Sequence, residues 1–204
     1  MAFQNRLAIL INAPLFEREL RKYFNRRCDY QRFLDFLTDE NQNSVLNNKE
    51  KLNDIVRANY FYAQTVFRDN QFVSRTNANH TKFLNALRMM GYEVTGAYNS
   101  IDAHLCISAA QLAENASVDT VLILGATIDH VPTIWYLRSK GIRVVGVFSD
   151  TRSLSERIKE ALHWHYQIHL DDGFLSEENK SSHSEGAALG TSLDDVEDVH
   201  LATP

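Results

Sequence analysis

Four consecutive apolar residues, Val121 to Leu124, followed at once by Gly125 and then by Asp129 and Pro132, constrain this chain more than any other stretch. An unbroken apolar run of that length, closed by a glycine, reads as a parallel strand buried on both faces. Pro132 suits the first turn of a helix, where its missing N–H is no loss, and Asp129 stands just ahead of it. Open α/β sheets place their chemistry just past the carboxyl ends of such strands. Asp129 therefore reads both as a helix cap and as a carboxylate at a site. The neighbouring Ala126, Thr127 and Ile128 bring no partner acid.

The same alternation of strand and helix signals runs through the chain. Residues 7–11 form a first buried strand, followed by Pro14 and a long helix expected over 15–37, with Leu20, Phe24, Tyr30, Phe33 and Leu37 at helical spacing. Residues 39–48 read as a polar loop and 49–56 as a short helix. Further strands are expected at 60–67, 92–98, 119–124, 144–148 and 166–170, and helices at 81–90, 101–116, 130–139 and 153–162. Residues 69–77 read as a polar connection, and Gly91 and Gly141 end two of the helices. The pattern predicts a three-layer α/β/α sandwich, Rossmannoid in kind, around a mostly parallel sheet of five to six strands.

A chain of 204 residues can hold one domain with a sizeable core. That domain is expected over 1–172, with 173–204 a disordered acidic tail. From Asp171 onward nine acidic residues face Lys180 alone, so this stretch carries −8 and residues 1–170 carry +3 of the total −5. A solvated tail and a tail that screens a polyanion site both fit that distribution. Cys28 and Cys106 make neither a disulfide framework nor a metal knuckle, which fits a reducing compartment. No apolar run approaches a membrane span, and 7–11 is too short for a signal core, so a cytoplasmic protein without membrane association is expected. Glycine-rich phosphate loops are missing, which argues against dinucleotide-binding and NTPase readings.

Three blocks in order resemble the NYN branch of the PIN-like nuclease fold, including the LabA-like proteins. They are the first strand running into Ile11-Asn12-Ala13-Pro14, then Tyr60-Phe-Tyr-Ala with Lys82 to Val94 and Ser100-Ile-Asp-Ala103, then Leu122-Ile-Leu-Gly125 with Asp129-His-Val-Pro132 and Leu137 to Gly146. The resemblance implies a cleft at the carboxyl ends of the strands that gathers three or four acids. In active relatives these hold Mg²⁺ or Mn²⁺, which activates a water to cleave RNA. Carried onto this sequence, the metal set is Asn12, Asp102, Asp129 and Asp150, with Asp102 and Asp129 as the catalytic carboxylates. The set is thinned: Asn12 stands for an aspartate, Ser108 and Ala126 stand where relatives place acids, and Asp129 aligns only after a one-residue insertion. Asp102, Asp129 and Asp150 also read as ordinary helix-cap or turn residues.

Arg18, Arg21, Lys22, Arg26 and Arg27, interleaved with Tyr23, Phe24 and Tyr30, read either as a surface for RNA or as the solvated face of an amphipathic helix. His163, His165 and His169 lack the partners of a zinc site. Three readings follow. One is an RNA-associated or regulatory domain with weak or lost nuclease activity and no resident cofactor. Another is an active Mg²⁺- or Mn²⁺-dependent ribonuclease. The last is a protein-interaction module, with a homodimer or another protein as partner.

Overall fold

The computed structural model describes residues 5–39, 45–46, 53–68, 71–74, 77–98, 100–152 and 154–177. The first half runs β1 (Asn5–Asn12), α1 (Ala13–Phe24), β2 (Arg26–Cys28), α2 (Tyr30–Thr38) and β3 (Asn53–Ala63). A hairpin of β4 (Thr65–Arg68) and β5 (Gln71–Ser74) follows, then α3 (Ala78–Met89) and β6 (Glu93–Ala97). The second half runs α4 (Ile101–Glu114), β7 (Thr120–Leu124), a 3₁₀ turn at Ile128–His130, α5 (Val131–Ser139) and β8 (Arg143–Phe148). It closes with α6 (Glu156–Ala161), β9 (Trp164–Gln167) and β10 (Leu175–Glu177).

Six strands form one sheet in the order β6-β3-β1-β7-β8-β9, with every neighbouring pair parallel. The chain first builds outward from β1 through β3 to β6, then returns to the other side of β1 with β7 and continues through β8 to β9. Right-handed crossovers then send the helices of the two halves to opposite faces. Alternating side chains show the division. Leu7, Ile9 and Ile11 face a core with Phe16, Leu20, Phe33 and Leu84, from α1 to α3. Ala8 and Leu10 face a core with Leu105, Leu112, Ile134 and Ile158, from α4 to α6. The three-layer sandwich expected from the sequence is the observed one.

The amino-terminal edge of the sheet is pinned by a buried polar chain. Thr120 Oγ1 donates to Asn5 Oδ1, Asn5 Nδ2 donates to Asn53 Oδ1, and Asn53 Nδ2 donates to the Leu37 carbonyl, each at 2.9 Å. These bonds tie β7, β1 and β3 together at the end away from the site. A register shift between Leu7 and Ala8 pushes Val56 out of the ladder.

Several local expectations are corrected. The helix expected over 15–37 is two helices, because Asn25 takes a left-handed conformation at φ 51° and ends α1. Asp29 then caps α2 by accepting from the N–H groups of Gln31 and Arg32. Residues 53–56, expected in a helix, begin β3, while 49–52 lie outside the described residues. Within the connection expected at 69–77, Gln71–Ser74 is a strand paired with β4. The last sheet strand is Trp164–Gln167, earlier than expected, and α6 begins after Ser155, with Ser153 outside the described residues.

Packing also continues past residue 172. Phe174 is fully buried, its ring 5.1 Å from those of both Phe33 and Phe36, and β10 pairs antiparallel with β2. Residues 178–204 lie outside the described residues. Phe174→Ala should lower unfolding free energy in urea by about 3–5 kcal/mol, the usual loss for a buried phenylalanine. Removing the chain after Asp172 should weaken the fold comparably. Unchanged urea midpoints would contradict the packing role of this segment.

Candidate functional site

The strand order reverses between β1 and β7, and in open α/β sheets ligands bind in the crevice at such a switch point. Here the two strands end side by side, β1 in Asn12 and β7 in Leu124, with Gly125 just past it. Gly125 sits at φ +73°, and a Cβ there would meet the Asn12 carbonyl oxygen at 3.1 Å and the Phe16 nitrogen at 3.3 Å. Glycine is therefore required for both conformation and clearance, and it lets the loop after β7 pass tightly over the end of β1.

Above these ends lies a cavity of about 410 Å³, lined among others by Asn12, Arg18, Tyr98, Ser100, Asp102 and Thr127. Ala63 and Ala97, at the ends of β3 and β6, also line it, and their small side chains leave the space open. Ser100 caps α4 by accepting from the Ala103 N–H at 3.2 Å, which places Asp102 in the first turn at the cavity wall.

Asp102 is held by two neighbours. Asn12, only 6 % exposed, donates from Nδ2 to Asp102 Oδ1 at 2.9 Å. His130 Nε2 lies 3.1 Å from the same oxygen, close but off the line of a good hydrogen bond. On the other side of the ring, the Thr127 N–H donates to His130 Nδ1 at 2.8 Å. Nδ1 is thus an acceptor, which assigns the proton of the neutral ring to Nε2, facing Asp102. The ring is completely buried. Burial lowers its pKa from 6.5, against the opposing pull of Asp102 and then Asp129.

The other expected ligands stand apart. Asp129 is exposed in the 3₁₀ turn and is not among the cavity-lining residues, although its charge reaches His130. Asp150 lies past the end of β8, where its Oδ1 accepts from both the backbone N–H and Nε of Arg152 at 3.0 Å. These bonds hold its carboxyl below the usual range. Ala126 is buried in the core under α4 and α5. Ser108 is half-buried on α4, about two turns past Asp102. Of the expected set, the structure joins Asn12 and Asp102.

The basic cluster is likewise divided. Arg18, Arg21 and Lys22 are exposed on α1, with the Lys22 ammonium 5.1 Å from the Tyr23 ring centre, and Arg18 reaches the cavity. Arg26 and Arg27 sit on β2 beyond the Asn25 break, so the single helix face expected for all five does not exist. Tyr98, 61 % exposed at the cavity rim, was not singled out by sequence. Its signal was position alone, an aromatic residue just past the end of a parallel strand. His163, in the histidine group judged unsuited to zinc, accepts the Val144 N–H at its Nδ1.

The family model for the NYN domain matches residues 6–170. The chain belongs to the NYN domain family. A solved structure of a protein of unknown function from Vibrio parahaemolyticus shares the fold, with a TM-score of 0.62 at 18 % identity over 84 % of this chain and 96 % of that one. No curated protein matches the sequence. No helix among the described residues of this NYN domain is long and apolar enough to cross a membrane.

The PIN-like nucleases to which NYN domains are related generally use divalent metal ions. Such ions bind through several oxygen donors, with affinity rising with ligand charge. The residues here fit that role poorly. Among the described residues Asp102 is the single carboxylate lining the cavity, and Asn12 turns its N–H rather than its carbonyl oxygen toward it. Among the described residues no three His, Cys, Asp or Glu side chains are grouped to hold a metal ion.

His130 gives the site a pH signature. Its folded pKa lies below 6.5, so the unfolded chain takes up the proton first as pH falls. Stability is then lost below about pH 6.5, by at most about 1.4 kcal/mol per pH unit, until the folded ring also protonates. Urea midpoints should fall more steeply between about pH 6.5 and 5 in the parent protein than in His130→Gln. Parallel profiles would contradict a buried neutral His130.

Proposed function

We propose that this protein is an RNA-binding NYN domain that keeps the cleft of the nuclease fold without metal-driven cleavage. The observation that carries this reading is the coordination of Asp102. One oxygen of Asp102, the one carboxylate among the described lining residues, is occupied by the Asn12 amide, while Asp129 does not line the cavity and Asp150 is bonded to Arg152. Several carboxylates around an empty metal site would repel a phosphate backbone, whereas one carboxylate balanced by donors and flanked by Arg18 repels it far less.

The surface beside the cavity supplies what single-stranded RNA binding needs. Arg18, Arg21 and Lys22 present exposed cations along α1, and Tyr98 is a largely exposed aromatic side chain at the cavity rim. Cations that track the backbone with aromatic platforms between them are the general means of holding single strands.

Fluorescence anisotropy with labelled single-stranded RNA tests the reading. The triple variant Arg18→Ala, Arg21→Ala, Lys22→Ala should bind at least tenfold more weakly. Its dependence of log K on log salt should be shallower by about 2, from about 0.7 per lost phosphate contact. With Mn²⁺ added the RNA should stay intact. Cleavage abolished by Asp102→Ala or Asp129→Ala would instead establish an active ribonuclease, and a protein that neither binds nor cleaves RNA would fit a protein-interaction module.

A further inference from the structure

Backbone binding alone leaves the carboxylate of Asp102 unexplained. It stands in the wall of a cavity that also holds Arg18, and even a carboxylate with one oxygen hydrogen-bonded gains nothing from a phosphate chain beside it. Oδ1 is held by Asn12 and faced by His130, while Oδ2 carries no hydrogen bond among the described residues. Asn12 and His130 are both more than nine-tenths buried, so the carboxylate is fixed from behind and its free oxygen is left as an acceptor. An ionised carboxylate can only accept, so its ligand must bring O–H or N–H donors.

The rest of the cavity narrows the class. Arg18 supplies a cation for a phosphate group, and Tyr98 supplies an exposed ring at the rim. At about 410 Å³ the space lies near the small end of the roughly 300–1,000 Å³ typical of ligand sites, which suits one nucleotide better than two. Its place at the switch point of a parallel sheet is where nucleotide-binding α/β proteins set a carboxylate against ribose hydroxyls. Inside an RNA strand the 3′ oxygen is esterified, and its phosphate would be pressed toward Asp102. A free 2′,3′-diol offers two donors and no such charge.

We propose that the cavity binds a ribonucleotide with a free 2′,3′-diol, Asp102 Oδ2 accepting from the diol, Arg18 meeting the phosphate and Tyr98 stacking on the base. The unit comes either as a free ribonucleoside monophosphate or as the 3′-terminal nucleotide of an RNA strand. The second source rests on the RNA-binding reading; the first does not.

Calorimetric titration of the full chain with adenosine 5′-monophosphate and its 2′,3′-dideoxy analogue tests the diol. Anisotropy with one RNA oligonucleotide ending in a 3′-hydroxyl or a 3′-phosphate tests the strand end. The diol-bearing member of at least one pair should bind ten times more tightly or better. Asp102→Asn should abolish that preference, while Arg18→Ala weakens both members of the pair. Tyr98→Ala, at an exposed side chain that leaves the core untouched, should also weaken both and covers the case in which Asp102→Asn fails to fold.

Equal binding within both pairs, or a diol preference that survives in Asp102→Asn, overturns the proposal. If RNA still binds in that case, the RNA-binding reading stands without it. Diol-dependent binding of the monophosphate with no RNA binding would support the proposal and remove the RNA reading.

Discussion

The adjacency of β1 and β7, with β3 on the far side of β1, is the constraint from which the rest of the molecule follows. Leu7 to Ile11 are fully buried, one alternating set against α1 to α3 and the other against α4 to α6. Each of the leucine and isoleucine side chains among them stabilises the fold by about 1.5–3 kcal/mol relative to exposure. The Asn5–Asn53–Thr120 chain fixes the register of these strands at one end. Asn12 and Gly125 are thereby brought together at the other. The cavity lies beside this seam, bounded by the ends of β1, β3 and β6, the start of α4 and Thr127 after β7.

Within that opening the arrangement of charge decides what the domain can hold. A metal nuclease concentrates carboxylates and relies on a cation to make the cluster tolerable. Here Asp102 is balanced by an amide donor and a buried neutral imidazole, and the acids that the family resemblance would bring beside it are Asn12 and Ala126 or lie on other surfaces. On the proposed reading, a site with that balance accepts an anionic strand without a metal cation, holding in place of Lewis acidity a fixed hydrogen-bond acceptor with a cationic side chain and an aromatic ring at its rim.

Much of the scaffold was legible in the sequence because parallel strands buried on both faces leave continuous apolar runs, as at 7–11, 121–124 and 144–148. The helix break at Asn25 was not, because α1 and α2 bury residues on the same side of the sheet and the apolar spacing runs on through the interruption. Nor was β2, whose partner β10 lies at the other end of the described chain, since local periodicity carries no information on such pairing. At the site, the sequence pointed to Asn12, Asp102 and Asp129. It did not disclose that a Thr127 N–H fixes the His130 tautomer, that Arg26 and Arg27 leave the α1 surface, or that Tyr98 stands at the rim. Those facts depend on where loops turn, and residue type alone does not encode it.

The central claim is that the hydrogen bond from Asn12, with the His130 ring facing the same oxygen, occupies Asp102 in place of a metal ion. Electron paramagnetic resonance of Mn²⁺ titrated with the full chain addresses it directly. The account predicts that the free-ion signal persists at protein concentrations well above those of the metal, with no difference between the parent protein and Asp102→Asn. Stoichiometric loss of that signal at micromolar concentrations, reversed by Asp102→Asn, would contradict it.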